Sequence, residues 1–285
     1  MAVSSDDWYH PESIEELHRL FDSNWFDENS VKIVASNTGS GVYKDQDLYD
    51  KYIDIKGIPE LSVISSSSKG IELGSVVSIS KAIEVLSDGN LVFRKIADHL
   101  SKVASPFVRN TATIGGNIII AQKLSFETLL MSIFIPNWDS DGVTFETFRA
   151  APRPFGNAVS YVNSAFLART ASGENLMEDI CLAFGAYGID HAIRASKVEA
   201  FLKDKPVSSF VILKAVQLLK ETVSPSEGTT HPEYRISLAV SFLFTFLSSL
   251  TKSMNEPAKV NVINGSYTNG TRDTSSGYSL KEHLK

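Results

Sequence analysis

The sequence predicts a mixed fold of the α/β or α+β class, and three observations carry that expectation. Short β-rich runs alternate with helical periodicities through the first 130 or so residues. From Val143 onward a second block presents strands first and helices afterwards. At 43% hydrophobic and 21% charged residues, a 285-residue chain has enough apolar side chain for one or two cores.

The first element is a short amphipathic helix. Ser13-Ile14-Glu15-Glu16 fits a capping box with Pro11 just outside it, and Ile14, Leu17 and Phe21 fall on one face. Glu15 and Glu16 suit the positive end of its dipole. Val31 to Ala35 reads as a strand that runs into the small, polar loop Ser36-Asn37-Thr38-Gly39-Ser40-Gly41. Further strands are expected at Tyr52–Ile55, Leu61–Ile64 and Gly70–Gly74. Ser78 caps a helix carrying Ile83, Val85 and Leu86, and Phe93 to Val103 forms another. A second loop is expected over Asn110-Thr111-Ala112-Thr113-Ile114-Gly115-Gly116-Asn117, leading into the strand-like Ile118–Ala121. The aspartates and Gly142 mark an inter-domain turn. Beyond it come strands around Phe145–Arg149, Ala165–Arg169 and Ile180–Phe184, then helices around Ala195–Leu202 and Ser209–Glu221. The last helix, Arg235 to about Leu250, is apolar on nearly every side, which predicts deep burial. After Thr251 the composition turns polar and small, as in a flexible tail.

Several function classes fall away. No uninterrupted apolar run approaches the ~18 residues of a membrane-spanning helix, and Met1 to Asp7 resembles neither a secretory nor a transit segment. The expectation is therefore a cytoplasmic protein without a membrane. A net charge of −6 with no basic block argues against nucleic acid. The single cysteine, Cys181, excludes a disulfide framework, an iron–sulfur cluster and a cysteine zinc site, and reads as a packed core thiol. His10, His18, His99, His191, His231 and His283 are scattered, with no metal-ligand spacing, so surface or capping roles are expected. The edges of elements carry Trp8, Trp25 and Trp138, which burial accounts for. Only the two Gly/Asn/Thr segments look chemical. Loops of this kind cluster backbone N–H groups and let a phosphate approach the main chain, although neither is a Gly-x-Gly-x-x-Gly or triphosphate-loop motif. Composition and spacing stop at a dinucleotide binder.

A resemblance goes further. Lys32 to Gly41 and Arg109 to Asn117 resemble the two flavin-binding segments of the molybdenum hydroxylases, the xanthine dehydrogenases and aldehyde oxidases, and look most like a plant aldehyde oxidase. Pro11–Leu17, Tyr52–Ile55, Ile133–Pro136, Phe148-Arg149 and Tyr234–Ala239 have counterparts too, so the likeness covers about residues 8 to 250. It implies a vanillyl-alcohol-oxidase-type (PCMH-type) FAD-binding domain over 1–141, a small α+β flavoprotein C-terminal domain over 142–250 and a tail over 251–285. By the same resemblance, Ile33, Val34, Ala35, Ser36, Asn37, Thr38, Gly39, Ser40 and Gly41 cradle the FAD pyrophosphate. Backbone N–H groups and the Asn37 and Thr38 side chains would do the holding. Ala112, Thr113, Gly116, Asn117 and Ile119 line the opposing wall, and Leu130 and Arg149 lie near the flavin ring, Arg149 in place of a common lysine. Two departures follow. Ser36 stands where the family usually has glycine, and a positive φ there costs serine about 1–2 kcal/mol. After Ala121-Gln122-Lys123 the chain jumps to Leu129-Leu130-Met131-Ser132, so the second flavin subdomain is truncated. The implied role is the flavin electron relay of an oxidoreductase, without its iron–sulfur and molybdenum parts and unable to oxidise aldehydes alone. The alternative is a non-catalytic chain that no longer binds FAD and interacts with full-length aldehyde oxidase subunits.

Overall fold

The computed structural model describes residues 8–27, 30–39, 49–122, 130–138, 142–152, 159–171, 176–187 and 191–252. β1 (Trp8–Tyr9) precedes α1 (Ile14–Phe21), whose start follows the expected cap: the Glu16 amide donates to Ser13 Oγ at 3.1 Å. The reciprocal arm lands one residue earlier, on the Glu12 amide, which donates to Glu16 Oε2 at 2.8 Å. β2 (Val31–Val34) and β3 (Lys51–Asp54) join β1 in a parallel sheet of order β1-β3-β2. Leu17 of α1 buries against Val31, Ile53, Ile58 and Leu61, with Val76 in the same cluster.

The expected strand Leu61–Ile64 is corrected. Pro59 to Ser62 is a 3-10 turn with proline at its start, and the strand β4 begins only at Ile64 and runs to Ser67. Proline fixes φ near −65° and lacks the N–H a ladder needs, so it favours the turn. β4 pairs with β5 (Gly70–Gly74). α2 (Ile79–Ser87) is capped by Ser78 and α3 (Leu91–Ser101) by Asn90, which accepts from the Phe93 amide at 3.0 Å.

The second loop with its strand-like continuation is corrected more strongly. Residues 110–121 span the end of α4 (Pro106–Thr111) and most of α5 (Ile114–Gln122). β6 (Ser132–Pro136) then returns to the sheet and pairs with β5, Leu73 opposite Ile133 and Ile71 opposite Ile135. The jump in the sequence therefore ends on a paired strand. Ile71, Leu73, Ile79, Leu86, Phe93 and Ile114 form the core between this sheet and its helices.

The second block is a four-stranded antiparallel sheet of β7 (Val143–Ala150), β8 (Val162–Thr170), β9 (Met177–Gly185) and β10 (Ile193–Arg194), with α6 (Ser196–Leu202), α7 (Ser209–Thr222) and α8 (Pro232–Lys252) packed on it. Glu199 of α6 is the polar rivet, accepting from the Leu182 amide at 2.7 Å while Arg194 pairs with its carboxylate at 2.8 Å. Two expectations change here. α8 buries one face, Ala239, Leu243, Phe246, Leu247 and Leu250, while Phe244 stays 48% exposed. It is long and apolar enough to cross a membrane by length and composition, and its buried face is that of a core helix. Cys181 is no core thiol: Ile180, Leu182 and Phe184 point into the core, and Cys181 lies half-buried on the opposite face of β9. Of the expected tail, 251–285, Thr251 and Lys252 end α8 and residues 253–285 lie outside the described residues, as do 139–141 of the inter-domain turn.

Candidate functional site

One three-residue strap, Ser75 to Val77, follows β5 and gathers the separate pieces of the site. Val76 is buried in the cluster on which Ile33 and Ala35, at the root of the first segment, pack. The Gly115 amide donates to Ser75 O at 2.9 Å and the Ile114 amide to Val77 O at 3.0 Å, which seats the second segment. The Ser75 amide donates to Met131 O at 3.0 Å, so Leu130 arrives beside the same strap. Nothing in the sequence singles out Ser75. It is 3% exposed, and its hydroxyl has no hydrogen-bond partner among the described residues.

The first segment leaves the carboxyl end of β2, where ligands of parallel sheets commonly bind. Ser36 has φ 69° and Asn37 φ 47°, two consecutive left-handed residues, neither of them glycine. The positive φ that the family's glycine suggested is present. Among the described residues, the amides of Ser36, Asn37 and Thr38 donate to no backbone carbonyl. Ile33, Val34 and Ala35 belong to the strand and its exit, and Asn37, Thr38 and Gly39 are half-buried in the turn. Ser40 and Gly41 lie outside the described residues.

The second segment is built in the opposite way. Thr113, 2% exposed, caps α5: the Gly116 amide donates to Thr113 Oγ1 at 3.1 Å and the Asn117 amide to Thr113 O at 3.0 Å. With Ile114 and Gly115 tied to the strap, four successive amides have acceptors inside the protein. The two glycines have different tasks. A Cβ on Gly115 would lie 2.7 Å from both Ser75 Cβ and Ser75 O, so only glycine lets the helix close on the strap. A Cβ on Gly116 would meet only Thr113 Oγ1, at 2.9 Å, and otherwise open space. Asn117 is exposed, and Ile119 and Ala112 are half-buried. Arg109 braces this segment from behind, donating to Val103 O and Ala104 O at 2.9 and 2.8 Å.

Arg149 enters from β7, beside α3. Lys95 of α3 grips both carboxylate oxygens of Glu146 at 2.7 and 2.8 Å. One turn along, His99 is half-buried, where a surface or capping role was expected. Burial, then the charges of Lys102 and Arg149, push its pKa down to about 4. Burial also lowers the pKa of Arg149. α3 carries this junction to the site, because Ile96 and Leu100 pack in the cluster that holds Ile114 and Ile118.

These features fit a dinucleotide with a charged middle. Among the described residues, the first turn offers amides without backbone acceptors and a buried hydroxyl without a partner. The second offers a flat helix start in which Gly116 leaves the backbone open.

Comparison with known proteins agrees. Residues 2–134 match the FAD binding domain in molybdopterin dehydrogenase, and residues 146–250 match the CO dehydrogenase flavoprotein C-terminal domain. An indole-3-acetaldehyde oxidase of Zea mays is 71% identical over 310 residues, covering 95% of this chain and 23% of that protein. A probable aldehyde oxidase 3 of Oryza sativa subsp. japonica is 64% identical over 315 residues, with 95% and 23% covered. This chain thus spans under a quarter of the length of such relatives. The Zea mays alignment is also longer than the 285 residues present, so at least 25 of its positions have no counterpart here. In fold, the chain is similar to a carbon monoxide dehydrogenase from Hydrogenophaga pseudoflava, with a TM-score of 0.72 at 17% identity over 88% of this chain and 99% of that one. It is also similar to quinoline 2-oxidoreductase from Pseudomonas putida 86, with a TM-score of 0.68 at 17% identity over 89% and 99%.

Proposed function

Because the chain belongs to the family of molybdopterin-dehydrogenase FAD-binding domains with the CO dehydrogenase flavoprotein C-terminal domain behind them, we propose that it is the flavin-holding electron relay of an aldehyde oxidase-like molybdenum hydroxylase. FAD is the cofactor of this family. When bound, it supplies the oxidation–reduction chemistry that no side chain can perform. The chain's own residues bind and orient. The Ser36–Thr38 amides hold the pyrophosphate, with Asn37 and Thr38 adding side-chain donors. Asn117 and the open backbone at Gly116 line the facing wall. Leu130, next to Met131, which bonds to the strap, and Arg149, on β7 beside α3, belong to the flavin-ring end.

The observation that carries this reading is the turn at Ser36–Thr38, whose amides have no backbone acceptor among the described residues, while the first four amides of α5 are all engaged. Titration of the purified chain with FAD, followed by flavin fluorescence, tests it. Saturable binding of one FAD per chain supports the reading, and fluorescence unchanged at micromolar protein overturns it. A second reading is favoured by the positions missing relative to the Zea mays enzyme: a chain that holds no FAD and associates with full-length aldehyde oxidase subunits. It is the outcome in which the titration is flat and co-expressed full-length subunit co-purifies with the chain.

A further inference from the structure

We propose that the Ser36 hydroxyl is itself a ligand of the FAD pyrophosphate, donating a hydrogen bond to a phosphoryl oxygen. The inference rests on the reading of the chain as an FAD binder and adds a contact that backbone amides do not supply. Two liabilities coincide at this residue. Its backbone is left-handed, φ 69°, a region that disfavours any side chain with a Cβ. Its Oγ is buried and has no partner among the described residues, although a hydroxyl can donate once and accept twice. Glycine would relieve both at once. A serine that carries both is suited to a site where an acceptor arrives later, and strained or unsatisfied groups concentrate where a ligand completes them.

The location selects the acceptor. Ser36 sits at the carboxyl end of β2, at the start of the turn whose amides also lack backbone acceptors among the described residues. The amides can only donate and the hydroxyl can donate beside them, so the group that suits all of them is acceptor-rich and anionic, as a pyrophosphate is. Other hydroxyls of the site are unsuited. Thr113 Oγ1 is engaged as the α5 cap. Ser75, though also without a partner, is walled in by the first turn of α5, where even a Cβ on Gly115 would come within 2.7 Å of it.

The test separates strain from ligation with two variants of the full chain, Ser36→Ala and Ser36→Gly, titrated with FAD and melted without it. Ser36→Ala keeps the left-handed residue and removes the donor. It is expected to weaken FAD binding by about tenfold and leave the melting temperature of the FAD-free chain within about 2 °C. Ser36→Gly removes both liabilities, so the FAD-free chain melts about 2–4 °C higher while FAD still binds about tenfold more weakly. Phosphorus NMR of bound FAD gives a direct readout: the pyrophosphate resonances shift between wild type and Ser36→Gly. Binding within twofold of wild type in Ser36→Gly, or unchanged resonances, overturns the hydroxyl contact while leaving the FAD reading intact. A wild-type chain that binds no FAD overturns both.

Discussion

The two segments tied to the Ser75–Val77 strap meet a ligand in opposite states. The Ile114–Asn117 helix start, which resembles an anion-binding helix N-terminus, has all four of its first amides engaged by Val77, Ser75 and Thr113. Among the described residues, the Ser36–Thr38 turn has amides without backbone acceptors, two left-handed residues and a buried hydroxyl without a partner. A helix N-terminus binds anions only through amides left unsatisfied. The capacity to hold a phosphate therefore lies in the turn, and the helix serves as the fixed wall against which it works.

Hydrogen exchange gives the sharpest measure of that difference. In the FAD-free chain the Ile114–Asn117 amides are expected to exchange about a thousandfold more slowly than those of Ser36–Thr38, a gap of about 4 kcal/mol in opening free energy. FAD closes the gap by slowing the turn alone. Equal protection of both segments without FAD would break the comparison.

Acid attacks the fixed wall through its support. His99 titrates near pH 4 when folded and near 6.5 when unfolded, so the unfolded chain takes up the proton first. Its contribution is whole above about pH 6.5 and is lost as pH falls towards 4, on the order of 3 kcal/mol in all. Melting temperatures between pH 7 and 4 are expected to fall less steeply in His99→Gln than in the wild-type chain. Parallel curves would mean that His99 is not the group responsible.

Next in size is Gly115→Ala, which drives a methyl group into the Ser75 backbone. The expected cost is about 2–3 kcal/mol, a drop of about 5–10 °C in melting temperature by circular dichroism. Gly116→Ala, whose Cβ would meet only Thr113 Oγ1, at 2.9 Å, and no backbone, is expected to cost less than half as much. A reversal of that order would show that α5 is not seated on the strap as described. The smallest effect is Thr113→Ala, about 1 kcal/mol from loss of the cap, largely restored by Thr113→Ser. FAD affinity should barely respond to Thr113→Ala if the wall is passive, and a tenfold loss would move binding capacity back to the helix.

Much of this frame was legible in the sequence, and the failures have physical causes. Ser13, Ser78 and the spacing of their apolar residues located α1 and α2, because caps and periodicity are local signals. The strands and helices of the C-terminal block were legible for the same reason. Residues 110–121 were not, since Gly-Gly-Asn followed by three isoleucines has poor helix propensity. Acceptors some 40 residues away, Ser75 O and Val77 O, stabilise the helix start, and sequence offers no sign of them. The apolar girth of α8 overstated its burial for a related reason, as composition does not say which face a neighbour covers. At the site, the left-handed residue at Ser36 could be anticipated from the glycine of the resemblance. Ser75 and the half-buried His99 could not, because their roles exist only once distant elements pack.

The strap has a further consequence, for how such a gene tolerates rearrangement. Its bonds reach Ile114, Gly115 and Met131, and its core contacts reach Ile33 and Ala35. None of them depends on how many residues separate Gln122 from Leu130. These contacts thus leave chain length at that point unfixed, a place on which splicing or recombination can act while the frame around Ser75–Val77 keeps its own bonds. A reporter domain inserted between α5 and β6 would exploit the same freedom.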